Sequence, residues 1–224
     1  MMIKVALSIL ALTSSLWAAV PATSKSSWDK ELEVLSLPLS NQKRLLKSDT
    51  GTLDRLVSIA QDTTLSLDLR WKSIMALGFL ESRSVMPNYL VLAQSKEWFV
   101  KNGLLIAMDE NAHPQRFVIA KKFVKDPSLI VRSSAFDILM QESGHRDILW
   151  EELFSTQNVK KNRSLWVRPK IIKYMNQNPK LHERAFFEKL SQEKEPEIVG
   201  LANKGLQKIN ALSTQNPTQS SKTF

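Results

Sequence analysis

The 224-residue chain contains no cysteine. Disulfides, thiolate metal sites, cysteine nucleophiles and lipid-modified cysteines are therefore excluded. Histidine is scarce: His113, His145 and His182 are the three in the chain, too few for a histidine-rich metal site. The 6 glycines form no GxGxxG or Walker-type loop that could cradle phosphates. No cofactor and no metal are expected. Adjacent carboxylates such as Glu151/Glu152 and Asp109/Glu110 do not face each other on a helix and make poor acid–base pairs. They read as solvated surface, and the chain reads as a non-enzyme. Hydrophobic residues are nevertheless 43% of the chain, enough to bury a core, so disorder throughout is excluded.

Long hydrophobic runs are also missing. Met1-Met2-Ile3-Lys4 gives a short positive start, and Val5 to Leu12 is apolar apart from Ser8. Small residues follow through Trp17-Ala18-Ala19-Val20-Pro21-Ala22. This order is that of a signal peptide, and the apolar run is shorter than the ~20 residues of a spanning helix. The expectation is export, with residues 1–18 removed or the cut falling after Ala22. No later segment is long and apolar enough to anchor the mature chain. The expected location is the periplasm, or outside the cell. Residues 19–27 read as a flexible leader, 28–50 as N-terminal capping helices interrupted at Pro38, and 211–224 as a disordered polar tail.

The central stretch repeats itself. Segments starting at Ser66, Ser95, Asp126 and Asn162 align without gaps. Each starts with a residue type that caps a helix, and Pro127 suits a first helical position. Apolar residues follow at Leu69, Trp98, Leu129 and Leu165, then at Trp71, Val100, Val131 and Val167. Next comes a cation in each: Lys72, Lys101, Arg132 and Arg168. The later pairs and triplets (Met75/Ala76/Phe79, Leu104/Leu105/Met108, Ala135/Phe136/Leu139, Ile171/Ile172/Met175) complete an apolar stripe on one helical face. A weaker copy starts at Glu195. Shorter amphipathic helices are expected between them, at Leu53–Ala60, Val85–Ala93, Pro114–Val124, Asp147–Phe154 and Leu181–Leu190. The unit is thus helix, turn, helix at about thirty residues, repeated about five times. A single unit cannot bury its apolar face, but stacked units can.

The run Asp126-Pro127-Ser128-Leu129-Ile130-Val131-Arg132 with Ala135 and Leu139 resembles the second helix of a HEAT repeat, in the short variant typified by PBS-lyase-like repeats. The resemblance covers residues 51–210. It implies an all-α fold, a right-handed α-solenoid of helix-turn-helix repeats, binding partners along its inner surface without catalysis. Ser or Asn for Asp, and Lys for Arg, in the other copies imply a weakened Asp–Arg ladder between repeats. The same resemblance implies that second helices line the groove. Groove candidates are then Arg70, Phe99, Asn102, Ile130, Ser133, Asp137, Trp166, Lys170 and Lys173. Phe99, Ile130 and Trp166 either face the groove in a row or pack between repeats.

Charge is uneven. The chain carries 31 Lys+Arg against 22 Asp+Glu, and the excess concentrates between residues 112 and 176. Two clusters make it: Lys121/Lys122/Lys125 and Lys160/Lys161/Arg163. A basic patch suits a partner that is acidic in part. The leading expectation is an exported scaffold binding an envelope protein or peptide. An alternative is a charge-driven binder of anionic lipid, lipopolysaccharide or cell wall. A third is a nucleic-acid enzyme of HEAT-like fold drafting Trp166 and Asp137, but export removes it from the chromosome, and nucleic acid is not expected as a partner.

Overall fold

A computed structural model describes residues 28–47, 49–80, 85–154 and 167–215. The expected signal peptide and leader lie outside the described residues, as does the tail from residue 216. Among the described residues there are α-helices, two 3₁₀ turns and no strand. Helices α1 (Asp29–Ser36) and α2 (Leu39–Leu45) are separated by Pro38. The residue before a proline is pushed out of the helical region, and Leu37 is extended. Gln42 bridges the break, its Nε2 donating to the carbonyls of Leu35 (3.1 Å) and Leu37 (2.8 Å).

Five helix pairs follow. They are α3 (Thr50–Gln61) with α4 (Leu67–Phe79), α5 (Val85–Ala93) with α6 (Trp98–Glu110), and α7 (Arg116–Phe123) with α8 (Leu129–Leu139). Then come α9 (Arg146–Phe154) with α10 (Val167–Met175), and α11 (Arg184–Ser191) with α12 (Pro196–Gln215). The 3₁₀ turns Ser143–His145 and Leu181–Glu183 lead into α9 and α11. The last helix continues through Gln215, five residues into the stretch whose polar composition suggests a tail.

Second helices stack on second helices: α4 on α6, α6 on α8, α8 on α10, α10 on α12. Each unit leaves an apolar stripe that only the next unit covers, so one core runs the length of the stack. Leu53, Leu56 and Ile74 belong to it at one end; Leu104, Val131, Ile172, Phe187 and Ile209 continue it to the other. Gly78 permits a close approach of α4 and α6. A Cβ there would sit 2.7 Å from the Ala107 carbonyl oxygen.

The helix starts at Leu67, Trp98 and Leu129 fall 31 residues apart. This corrects the alignment of the first repeat by two residues. Ser66 is a true N-cap, its side chain accepting from Leu69 N at 3.3 Å. Ser95 and Asp126 instead accept from amides two residues on, Glu97 N at 3.2 Å and Ser128 N at 2.8 Å. The caps of α6 and α8 are therefore Glu97 and Ser128, and Pro127 precedes its helix rather than starting it. The amides of Arg70, Lys101 and Arg132 bond the cap carbonyls of Ser66, Glu97 and Ser128 in turn.

In this register Arg70, and not Lys72, is the counterpart of Lys101. An ion-pair ladder results. Arg70 pairs with Glu97, Lys101 with Asp126 and Arg168 with Glu193, each reaching the turn ahead of the next second helix. Lys72 pairs with Asp68 of its own helix at 2.9 Å. Arg132 donates to the carbonyls of Asp126 and Pro127 ahead of its own helix. The substitutions expected to weaken the ladder are accommodated by Glu97 and Glu193, which supply carboxylates from other turn positions.

Candidate functional site: the face of the second helices

The positions off the core stripe of α4, α6, α8 and α10 form the outer face of the second-helix layer. At the start of these helices the face is apolar. Trp98 is 49% exposed and Ile130 48% exposed, with Leu67 also open to solvent. Phe99 is half-buried, its ring centroid 5.7 Å from Trp71 and 6.3 Å from Trp98. Helix starts one repeat apart bring Leu67, Trp98 and Leu129 to corresponding places, so the apolar surface runs from repeat to repeat. Exposed apolar surface of this kind marks interaction sites.

The expected groove residues divide. Phe99 and Ile130 lie on this face, and Ser133 is half-buried beside them. Arg70 is buried, with Nε donating to the Ala60 carbonyl at 2.9 Å and its other end on Glu97. Asn102 is also buried, its Oδ1 accepting from Ser134 Oγ at 2.7 Å. Both serve contacts between elements rather than the open face. Asp137 and Lys170 pair with each other, and Lys173 pairs with Glu197 at 3.2 Å. Trp166, Lys160, Lys161 and Arg163 lie outside the described residues, as do Asn162 and Leu165.

Electrostatics on the face are balanced. Lys72, Lys170 and Lys173 each have a carboxylate partner. Lys121 and Lys122 are exposed on α7, in the first-helix layer, and Lys125 follows that helix. Lys125 faces Glu151 at 3.8 Å and Glu152 at 3.7 Å. The Lys121–Lys125 patch therefore does not border the apolar row through α8's exposed face; it belongs to the other layer.

At the α4 end the face deepens into a cleft of about 580 Å³. Trp71, Met75 and Phe79 of α4 line it, with Pro38, Leu39 and Lys43 on one side and Glu110 and Asn111 on the other. Gly103 of α6 lets the Trp71 ring lie close: a Cβ there would be 3.2 Å from Trp71 Cζ3. Trp71, Met75 and Phe79 were expected in the core stripe; they are half-buried and open on the cleft. The two-residue misalignment of the first repeat accounts for this. Aligning the copies on Arg70, Lys101 and Arg132 would have exposed it from spacing alone. Lys43 and Glu110 carry no such signal, because they reach the cleft only through the packing of α2 and α6 on α4.

The displaced histidines and Glu183 lie outside the second helices that make this face. Burial holds the His145 imidazole below its ordinary value, with Lys121 adding to the effect and Glu142 opposing it. Burial and Arg116 do the same for His113. Burial alone would raise the Glu183 carboxyl. Hydrogen bonds from Arg146, Trp150 and the Lys180 amide outweigh it and hold the group low. Among the described residues no group of three or more His, Asp or Glu is placed to hold a metal ion. No helix among them is long and apolar enough to cross a membrane. The arrangement offers surface for contact: apolar side chains on a rigid, periodic layer.

No family model matches the chain, and no curated protein matches it. Among solved structures the chain is similar to a designed armadillo repeat protein, YIII(Dq)4CqI. The identity is 14%, over 80% of this chain and 98% of that one, with a TM-score of 0.42. At that distance the likeness adds nothing to the repeat architecture, which rests on the order of the helices and on the 31-residue spacing of α4, α6 and α8.

Proposed function

We propose that the protein is an exported, non-catalytic interaction scaffold of HEAT type, which holds an envelope protein or peptide on the face of its second helices. One observation carries the reading: an apolar row with Trp98 and Ile130 open on successive helices of the stack and Phe99 half-buried beside Trp98. Export rests on the N-terminal pattern of charge, apolar run and small residues. Lys72, Lys170 and Lys173 of the second helices are already paired, so apolar contact, more than charge, sets affinity along the Trp98–Ile130 row. A few desolvated apolar anchors dominate interfaces of this kind.

The test is capture from a native envelope extract with the chain from Ala19 on as bait, washed at high salt. The identified partner is then titrated against the wild type and the Phe99→Ala/Ile130→Ala double variant. Each truncation is expected to cost about 1 kcal/mol or more, so affinity falls at least about tenfold in the double variant. Unchanged affinity overturns the reading. A second reading has its own observation: Lys121 and Lys122 are exposed and have no carboxylate partner among the described residues. Capture of only anionic lipid, lipopolysaccharide or wall fragments, all released by salt, supports that charge-driven surface instead.

A further inference from the structure

The cleft at the α4 end has a feature that the rest of the face lacks. Helices α2 and α6 both pack on α4, so α4 is the floor and the other two are walls. The floor is apolar and aromatic: Trp71, Met75 and Phe79. Leu39, 54% exposed, extends this surface on the α2 wall. The volume of about 580 Å³ exceeds one side chain and lies in the range of ~300–1,000 Å³ typical of binding pockets.

The walls are charged with opposite sign. On α2, Lys43 holds its ammonium 5.5 Å from the Phe79 ring centroid and has no carboxylate partner among the described residues. On α6, Glu110 is exposed at the helix end and has no cationic partner among the described residues. The C-terminal end of α6 adds partial negative charge of its own, which favours a cation there. Lys72, also at the cleft, is compensated by Asp68 at 2.9 Å. Among the described residues, one unpaired cation on α2 and one unpaired anion on α6 thus line the same apolar cleft.

We propose that this cleft seats an apolar side chain of a partner polypeptide flanked by one acidic and one basic residue, the acidic one on Lys43 and the basic one on Glu110. The inference rests on the scaffold reading and names the sequence chemistry that the scaffold selects. The cleft is the anchoring end of the face. The row of Phe99 and Ile130 carries the partner onward along α6 and α8.

The experiment uses the full mature chain and four fluorescein-labelled, end-capped peptides with central sequences Glu-Leu-Lys, Glu-Leu-Glu, Lys-Leu-Lys and Glu-Ala-Lys, followed by anisotropy. The wild type is expected to prefer Glu-Leu-Lys over each of the others by about fivefold, the scale of one or two exposed charge pairs or a lost apolar anchor. Lys43→Glu moves the preference to Lys-Leu-Lys, and Glu110→Lys moves it to Glu-Leu-Glu. Both substitutions are at exposed positions and leave the fold intact, which circular dichroism checks. Equal binding of the four peptides, no binding of any, or a preference that neither variant moves overturns the inference. The scaffold reading fails separately. If the captured partner still depends on Phe99 and Ile130 while the peptides show no charge preference, the inference falls and the scaffold stands.

Discussion

Single residues decide where this stack is tight and where it titrates. Glu183 is fully buried, and its carboxylate accepts from Arg146 Nε and Arg146 Nη2, both at 2.7 Å. Trp150 Nε1 at 3.0 Å and the Lys180 amide at 2.8 Å complete the set. Removing one member of a buried pair strands the other, so Glu183→Ala is expected to cost about 3–5 kcal/mol in urea unfolding. A carboxyl with a lowered native value contributes stability above the ordinary 4.5, lost as pH falls through the native value. The histidines act at higher pH. His145 packs against the Phe117 ring at 5.0 Å, and neither ring nitrogen finds a hydrogen-bond partner among the described residues. An imidazole held below 6.5 binds its proton more readily in the unfolded chain. Its contribution is complete above that value and declines as pH falls below it. Unfolding free energy should therefore decrease between pH 7 and 5, and His145→Gln should flatten that slope when stability is measured across the window. Ala112 ends α6 at φ 49°, a left-handed position that suits glycine. Ala112→Gly is expected to stabilise by about 0.5–1 kcal/mol, read as a shift of the urea midpoint.

At the scale of the element, the ladder joins the first three helix pairs to one another and the fourth pair to the fifth. Lys101 and Asp126 are both buried and pair across the α6–α8 junction, with Asp126 also bonding the Ser128 amide. Asp126→Ala leaves the ammonium without a partner and should cost about 3 kcal/mol or more. Replacing both residues by apolar ones of similar volume should restore most of it. A double-mutant cycle at equilibrium measures the difference. The helix pairs themselves were readable from sequence because caps and apolar stripes recur together, and Val85–Ala93 is bounded as the pattern suggests. The register of the first repeat was not. Ser66 caps its helix directly, whereas Ser95 and Asp126 sit one short turn earlier. Side chains of one chemical type satisfied amides at different offsets, and only the helix starts separate the two uses. Arg70 thereby entered the ladder, and Trp71 left the core for the cleft, which Met75 and Phe79 also line while still packing against the core. The pairing of Lys170 with Asp137 depends on how α8 meets α10, a geometry that spacing within either helix does not contain.

For the whole molecule, the layers divide the labour. The buried stripes build a continuous core, the turns carry the ion pairs, and the second helices leave apolar side chains facing outward. The structure supplies a matched pair of positions to test this. Ile130 on α8 and Val118 on α7 are both 48% exposed, but they belong to different layers. A photo-crosslinking amino acid placed at either one, in the full chain in its native cells, samples the two faces equally apart from the partner. The account predicts a discrete crosslinked species at residue 130, retained at high salt, and none at residue 118. Crosslinking at residue 118 without any at residue 130 would contradict it and place the working surface on the first helices.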